Sequence, residues 1–126
     1  TYHHTAPVNS MYGLHESLLM LREEGLENAW KRHRVMHEML AVGLEDLGFS
    51  YVVEKESDRL PQLNTVKLPD AIDEKKIRAR LLEEYNLEIG AGLGPFAGKV
   101  WRIGLMGYSA RKENIELCLG ALKACI

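Results

Sequence analysis

The sequence predicts an α+β fold: an antiparallel sheet of about four strands with helices packed on one face, preceded by a long helix. Three observations carry that expectation. From Phe49 onward the elements read ββαββα, an order that favours an antiparallel sheet with helices on one side. Between Leu87 and Met106 the chain reads as strand, glycine-rich loop, strand, and on a period of two Trp101, Ile103 and Leu105 share one face. Finally, Leu26, Trp30, His33, His37, Leu40, Leu44 and Leu47 recur at alternating spacings of four and three, the seam of a helix that packs along its length.

Taken in order, Tyr2 to Pro7 is polar, aromatic and extended, because Pro7 biases Ala6 away from helix. A helix is expected from Ser10 to Glu24, with Asn9 or Ser10 as cap and Gly25 as stop. Its residues Met11, Leu14, Leu18 and Leu21 predict a buried stripe. The second helix then runs to about Leu47 and is closed by Gly48. Gly25 separates two helices that each carry their own stripe, so the expected division is 1–25 and 26–126. His33 and His37 lie one turn apart, a spacing that can hold a metal. No third histidine or cysteine is near, HExxH is absent, and interface histidines are the reading adopted.

Phe49 to Val53 is the first expected strand, followed by a charged loop from Glu54 to Arg59. A second strand, Leu63 to Leu68, places Asn64, Val66 and Leu68 on one face. Asp73 should cap a third helix that ends at Tyr85 and buries Ile77, Leu81 and Tyr85. After the strand–loop–strand, Ser109 should cap a last helix with Ile115, Cys118, Leu119, Leu122 and Ile126 as its apolar set. Cys118 and Cys125 are about two turns, or ~10 Å, apart on that helix, too far to bridge within it. They read as reduced packing residues.

Composition excludes some classes. The chain has 126 residues, is 46% hydrophobic and 27% charged, and carries a formal net charge of −2. That balance makes no electrostatic case for nucleic acid. No apolar run approaches the ~20 residues of a membrane-spanning helix. The start, Thr1-Tyr2-His3-His4, has neither an initiator methionine nor a signal pattern, so the expectation is a piece of a longer protein.

The glycine-rich loop fails two nucleotide motifs. In a phosphate loop, position 93 would be glycine and position 100 Ser or Thr; they are Leu93 and Val100. The dinucleotide fingerprint starting at Gly90 would need glycine where Pro95 stands. Arg102 is the one charged residue of the second strand, on the face opposite Trp101. Spacing leaves two readings open. A strand arginine on a solvated face is the common one; over a floor of small residues, its guanidinium can instead fork onto a carboxylate.

Three stretches, TYHHTAP, GLENAWKRHR and EIGAGLGPFAGKVWRIGLMG, together resemble the C-terminal part of alanine–glyoxylate and serine–pyruvate aminotransferases. These are class V members of the pyridoxal-phosphate enzymes with the aspartate-aminotransferase-like fold, and the resemblance extends over essentially the whole chain. It implies that Tyr2 and Thr5 of the Y-H-H-T run reach across a homodimer interface to the cofactor phosphate of the partner subunit. Neutral hydroxyl donors suit that task. It further implies that Arg102 of the R-I-G-L run holds the substrate α-carboxylate, and that the Gly90–Gly94 loop lines the cleft where small amino and 2-oxo acids bind.

Transamination needs a Schiff-base lysine and an acidic partner for the pyridine nitrogen. The family places both ahead of its Y-H-H-T run, hence before Thr1, and no lysine here stands in a matching motif. No catalytic residue is therefore expected in this chain, which alone should be inactive. Residues 1–25 would end a cofactor domain and 26–126 would form the small C-terminal domain. Cytoplasm is the expected compartment, with peroxisome and mitochondrion left open. The alternative is a stand-alone α+β module that binds amino acids without catalysis.

Overall fold

The structure is a computed structural model and describes residues 3–126. Its helices are α1 (Val8–Glu24), α2 (Leu26–Asp46), α3 (Glu74–Tyr85) and α4 (Lys112–Cys125); its strands are β1 (Ser50–Tyr51), β2 (Leu63–Lys67), β3 (Gly90–Ala91) and β4 (Val100–Gly104). Two compact units share the chain, Thr1–Lys31 and Arg32–Ile126, and the division falls inside α2. Gly25, the expected boundary, lies within the first unit.

In the first unit, Pro7 precedes α1 and its carbonyl accepts from the Met11 N–H at 3.0 Å. Asn9 and Ser10, the expected caps, are already helical. Gly25 ends the helix at φ +82°, a conformation that costs glycine nothing. The expected burial of the α1 stripe is corrected: no residue of α1 is buried, and Met11, Leu14 and Leu18 are 59%, 61% and 56% exposed. A stripe is buried only where another element faces it. The same correction applies to the start of the α2 seam, where Leu26 and Trp30 are exposed.

The second unit holds the core. Its sheet is antiparallel throughout, in the order β1-β2-β4-β3, so the α+β expectation holds. Val66 of β2 lies opposite Trp101 of β4, and both are fully buried. Onto that face pack Leu40 and Leu44 of α2, Ile77 and Leu81 of α3, and Ile115, Cys118 and Leu122 of α4. Each leucine and isoleucine among them contributes about 1.5–3 kcal/mol through removal from water.

Local chemistry explains most of the boundaries. Asp73 caps α3 as expected, its carboxylate accepting from the Lys76 N–H at 3.1 Å. Asn86 closes the helix in the left-handed conformation that asparagine tolerates. Ser109 does not cap α4; Arg111 holds that position. The Ser109 hydroxyl is engaged with Met106 instead, accepting from its N–H at 3.1 Å and donating to its carbonyl at 2.8 Å. The first strand is shorter than expected, two residues rather than Phe49–Val53. Phe49 is nonetheless buried, its ring 5.5 Å from that of Trp101.

Candidate functional site

Arg102 stands on β4, an inner strand, on the face away from the helices. Its cross-strand partners are Thr65 on β2 and Gly90 on β3. Trp101, Ile103 and Leu105 are buried on the other face, so the period of two holds here. Arg102 itself is half-buried, and its Nε donates to the Ala91 carbonyl at 2.8 Å. That is its one hydrogen bond among the described residues. Both Nη groups keep their donors, the fork that matches a carboxylate.

The loop between β3 and β4 is folded against its own backbone. A Cβ at Gly92 would run into the Phe96 carbonyl and the Val100 side chain, so only glycine fits there. This packing covers Val100, which is buried although it shares the face of Arg102. Gly94 and Gly98 have φ of +53° and +73°, and between them runs a single turn from Gly94 to Phe96 with Pro95 in its first half. Leu93 and Phe96 are exposed on the loop.

Of the other expected site residues, Thr5 lies exposed in the first unit and Tyr2 is outside the described residues. The two seam histidines have structural partners. His33 Nε2 accepts from the Gly107 N–H at 2.9 Å, while His37 Nδ1 is 2.7 Å from Asn64 Oδ1. Among the described residues no group of three His, Cys, Asp or Glu side chains could hold a metal. Both cysteines are free and buried, and burial pushes the Cys118 thiol up to about 11, so it is inert as a nucleophile. The sequence reading missed the Ala91 carbonyl and Thr65. A backbone acceptor carries no residue-type signal, and Thr65 becomes a neighbour of Arg102 only through the β2–β4 register.

Comparison with known proteins gives this geometry a family. The family model described as aminotransferase class-V matches residues 1–117. Alanine–glyoxylate aminotransferase of Callithrix jacchus is 45% identical over 125 residues, 99% of this chain and 30% of that protein. The (S)-ureidoglycine–glyoxylate transaminase of Bacillus subtilis is 40% identical over 98% of the chain and 30% of its own length. Among solved structures, alanine–glyoxylate aminotransferase from Nostoc sp. superposes with a TM-score of 0.94 at 49% identity, covering 99% of this chain and 33% of that one. Pyridoxamine–pyruvate aminotransferase from Mesorhizobium loti gives 0.90 at 30% identity, over 99% and 32%. The chain thus spans about a third of the length of the relatives it matches. The alignments do not support the expectation that this third is the relatives' C-terminal part, and the family assignment does not depend on it. With 117 of its 126 residues matched and a near-complete overlap with these folds, the chain belongs to the class V aminotransferases.

Proposed function

We propose that this chain is part of a pyridoxal-phosphate-dependent aminotransferase that moves the amino group of alanine or serine to glyoxylate or pyruvate. The observation that carries the reading is Arg102: a half-buried guanidinium, anchored through Nε, with both Nη groups free of partners among the described residues. Amino donor and oxo acceptor each bear an α-carboxylate, so one arginine serves both halves of the exchange. Among the alanine–glyoxylate, ureidoglycine–glyoxylate and pyridoxamine–pyruvate relatives described above, the names vary in the donor, while the acceptor is glyoxylate or pyruvate. That pattern supports a small 2-oxo acid as acceptor more strongly than it supports any one donor.

The exposed Thr5 hydroxyl fits a neutral donor to the cofactor phosphate, and Tyr2 is assigned the same role through the family motif. In this proposal both serve the partner subunit of a homodimer. When bound, pyridoxal phosphate supplies the electron sink for bond breaking at the substrate Cα. This chain contributes binding and orientation: Arg102 fixes one end of the substrate, and the glycine-rich loop, lining the cleft, leaves room for small amino and 2-oxo acids. Proton transfer needs a lysine that none of this chain's motifs supplies, so the isolated chain is proposed to be inactive. Residues 1–25 are assigned to the cofactor domain, 26–126 to a smaller domain, and the enzyme to the cytoplasm.

The test is amino transfer from alanine to glyoxylate by the full-length polypeptide, with wild-type residue 102 and with Arg102→Lys. Loss of the planar fork should raise KM for donor and acceptor together. Calorimetric binding of alanine without the cofactor, and no transfer with it, would instead establish a non-catalytic amino-acid-binding module.

A further inference from the structure

The Arg102 side chain reaches its position by lying across Gly90. The two residues are direct partners in the β3–β4 ladder, and their shared face is the one away from the core. Side chains of directly opposed residues in an antiparallel pair are neighbours on one face, so a side chain at position 90 would lie alongside the arginine. A Cβ built on Gly90 would stand 3.3 Å from the Arg102 carbonyl oxygen, 3.4 Å from Nη2 and 3.5 Å from the Arg102 Cβ. A methyl group is therefore a tight fit, and a branched side chain has no space unless the guanidinium moves.

The anchoring bond has a stereochemical consequence. A guanidinium offers a carboxylate two bidentate edges in the fork plane, the Nη1–Nη2 end and the Nε–Nη2 side. The Ala91 carbonyl takes the Nε–H at 2.8 Å and so blocks the side edge. The end edge remains.

We propose that Gly90 is a positioning residue for the substrate. Its missing side chain lets Arg102 lie against β3, the Ala91 carbonyl holds Nε there, and the guanidinium presents only its Nη1–Nη2 edge to an α-carboxylate. This rests on Arg102 being the carboxylate ligand. It makes position 90 a determinant of amino-acid and oxo-acid affinity without contact to either. A larger residue at 90 lifts Arg102 off Ala91, frees Nε and turns the fork away from the substrate.

The test uses the full-length enzyme and propionate, a carboxylate that cannot react, as competitive inhibitor of the amino donor. Four variants are compared with wild type: Gly90→Ala, Gly90→Val, Arg102→Lys, and Gly90→Val with Arg102→Lys. The expected result is a rise in the propionate inhibition constant of a few-fold for Gly90→Ala and about tenfold or more for Gly90→Val, with KM for the donor rising in parallel and the cofactor absorbance unchanged. The double variant should be no weaker than Arg102→Lys alone, because both changes remove one fork. Unchanged propionate affinity in Gly90→Val beside a loss in Arg102→Lys overturns the role of Gly90 and leaves the carboxylate ligand standing. Additive losses in the double variant overturn it too, since independent damage adds. Unchanged affinity in Arg102→Lys overturns both assignments. If Gly90→Val does not fold, Gly90→Ala at an unchanged melting temperature decides, and an inhibition constant equal to wild type overturns the proposal.

Discussion

His37 donates its Nδ1 proton to the side-chain oxygen of Asn64 at 2.7 Å, inside the core, and this bond ties α2 to β2. The direction follows from the neighbours. Tyr51 also donates to Asn64 Oδ1, at 2.7 Å, and the Asn64 amide faces the Pro61 carbonyl at 3.4 Å, so the carboxamide oxygen is the acceptor. An oxygen without a proton forces the histidine to supply one. Asn64→Leu keeps the branched shape but strands both donors in a dry site. The expected loss is about 3 kcal/mol of stability in chemical unfolding, larger than for His37→Leu, which strands no donor.

Gly92 supports a sharper local prediction. The two nearest atoms that a Cβ would meet there are the Phe96 carbonyl oxygen and carbon, which no rotamer change can move. Gly92→Ala should displace the loop between β3 and β4 and cost about 1–3 kcal/mol, although alanine usually stiffens a chain favourably. Gly104→Ala is the control, because a Cβ there meets nothing within 4 Å. Melting temperatures of the two variants should separate clearly.

Much of this fold is legible in the sequence, and the exceptions have physical reasons. The buried half of the α2 seam, the inward face of β2, the Asp73 cap and the apolar face of β4 all follow from local periodicity or a local hydrogen bond. Periodicity states that a stripe exists, not what faces it, which is why the α1 stripe misled. Nor does it order the strands: that β4 lies between β2 and β3 depends on pairings distant in sequence. Ser109 misled for a further reason. A serine hydroxyl serves a preceding turn as readily as a helix, and here Met106 holds it. Arg102 was legible as an outlier on its strand, while its anchor on the Ala91 backbone was not.

The contrast between two leucines tests the burial pattern directly. Leu14 of α1 is 61% exposed and Leu44 of α2 is fully buried. In this chain, Leu14→Gln should change stability by less than about 0.5 kcal/mol, whereas Leu44→Ala should cost about 2–5 kcal/mol through lost burial and a cavity. Denaturant midpoints measured on the two variants give the comparison. Equal effects would place the α1 stripe in a core.

Alkaline pH should reveal Tyr51. Burial pushes its phenol up to about 12 from the ordinary value near 10, against the opposing pull of the Arg59 guanidinium, which lies 4.1 Å over its ring. In the unfolded chain the phenol loses its proton near pH 10, while in the folded chain it stays neutral until about 12. Over that window the unfolded state holds fewer protons, so stability is intact below about pH 10 and falls as pH rises toward 12. Arg59→Leu removes the one nearby charge that favours the phenolate, and the phenol of that variant should titrate later still. Ultraviolet absorbance of the phenolate during a rapid pH jump, read before unfolding sets in, should show one phenol, absent from Tyr51→Phe, that keeps its proton until about pH 12. The slow phase that follows, as the chain opens, should disappear in Tyr51→Phe.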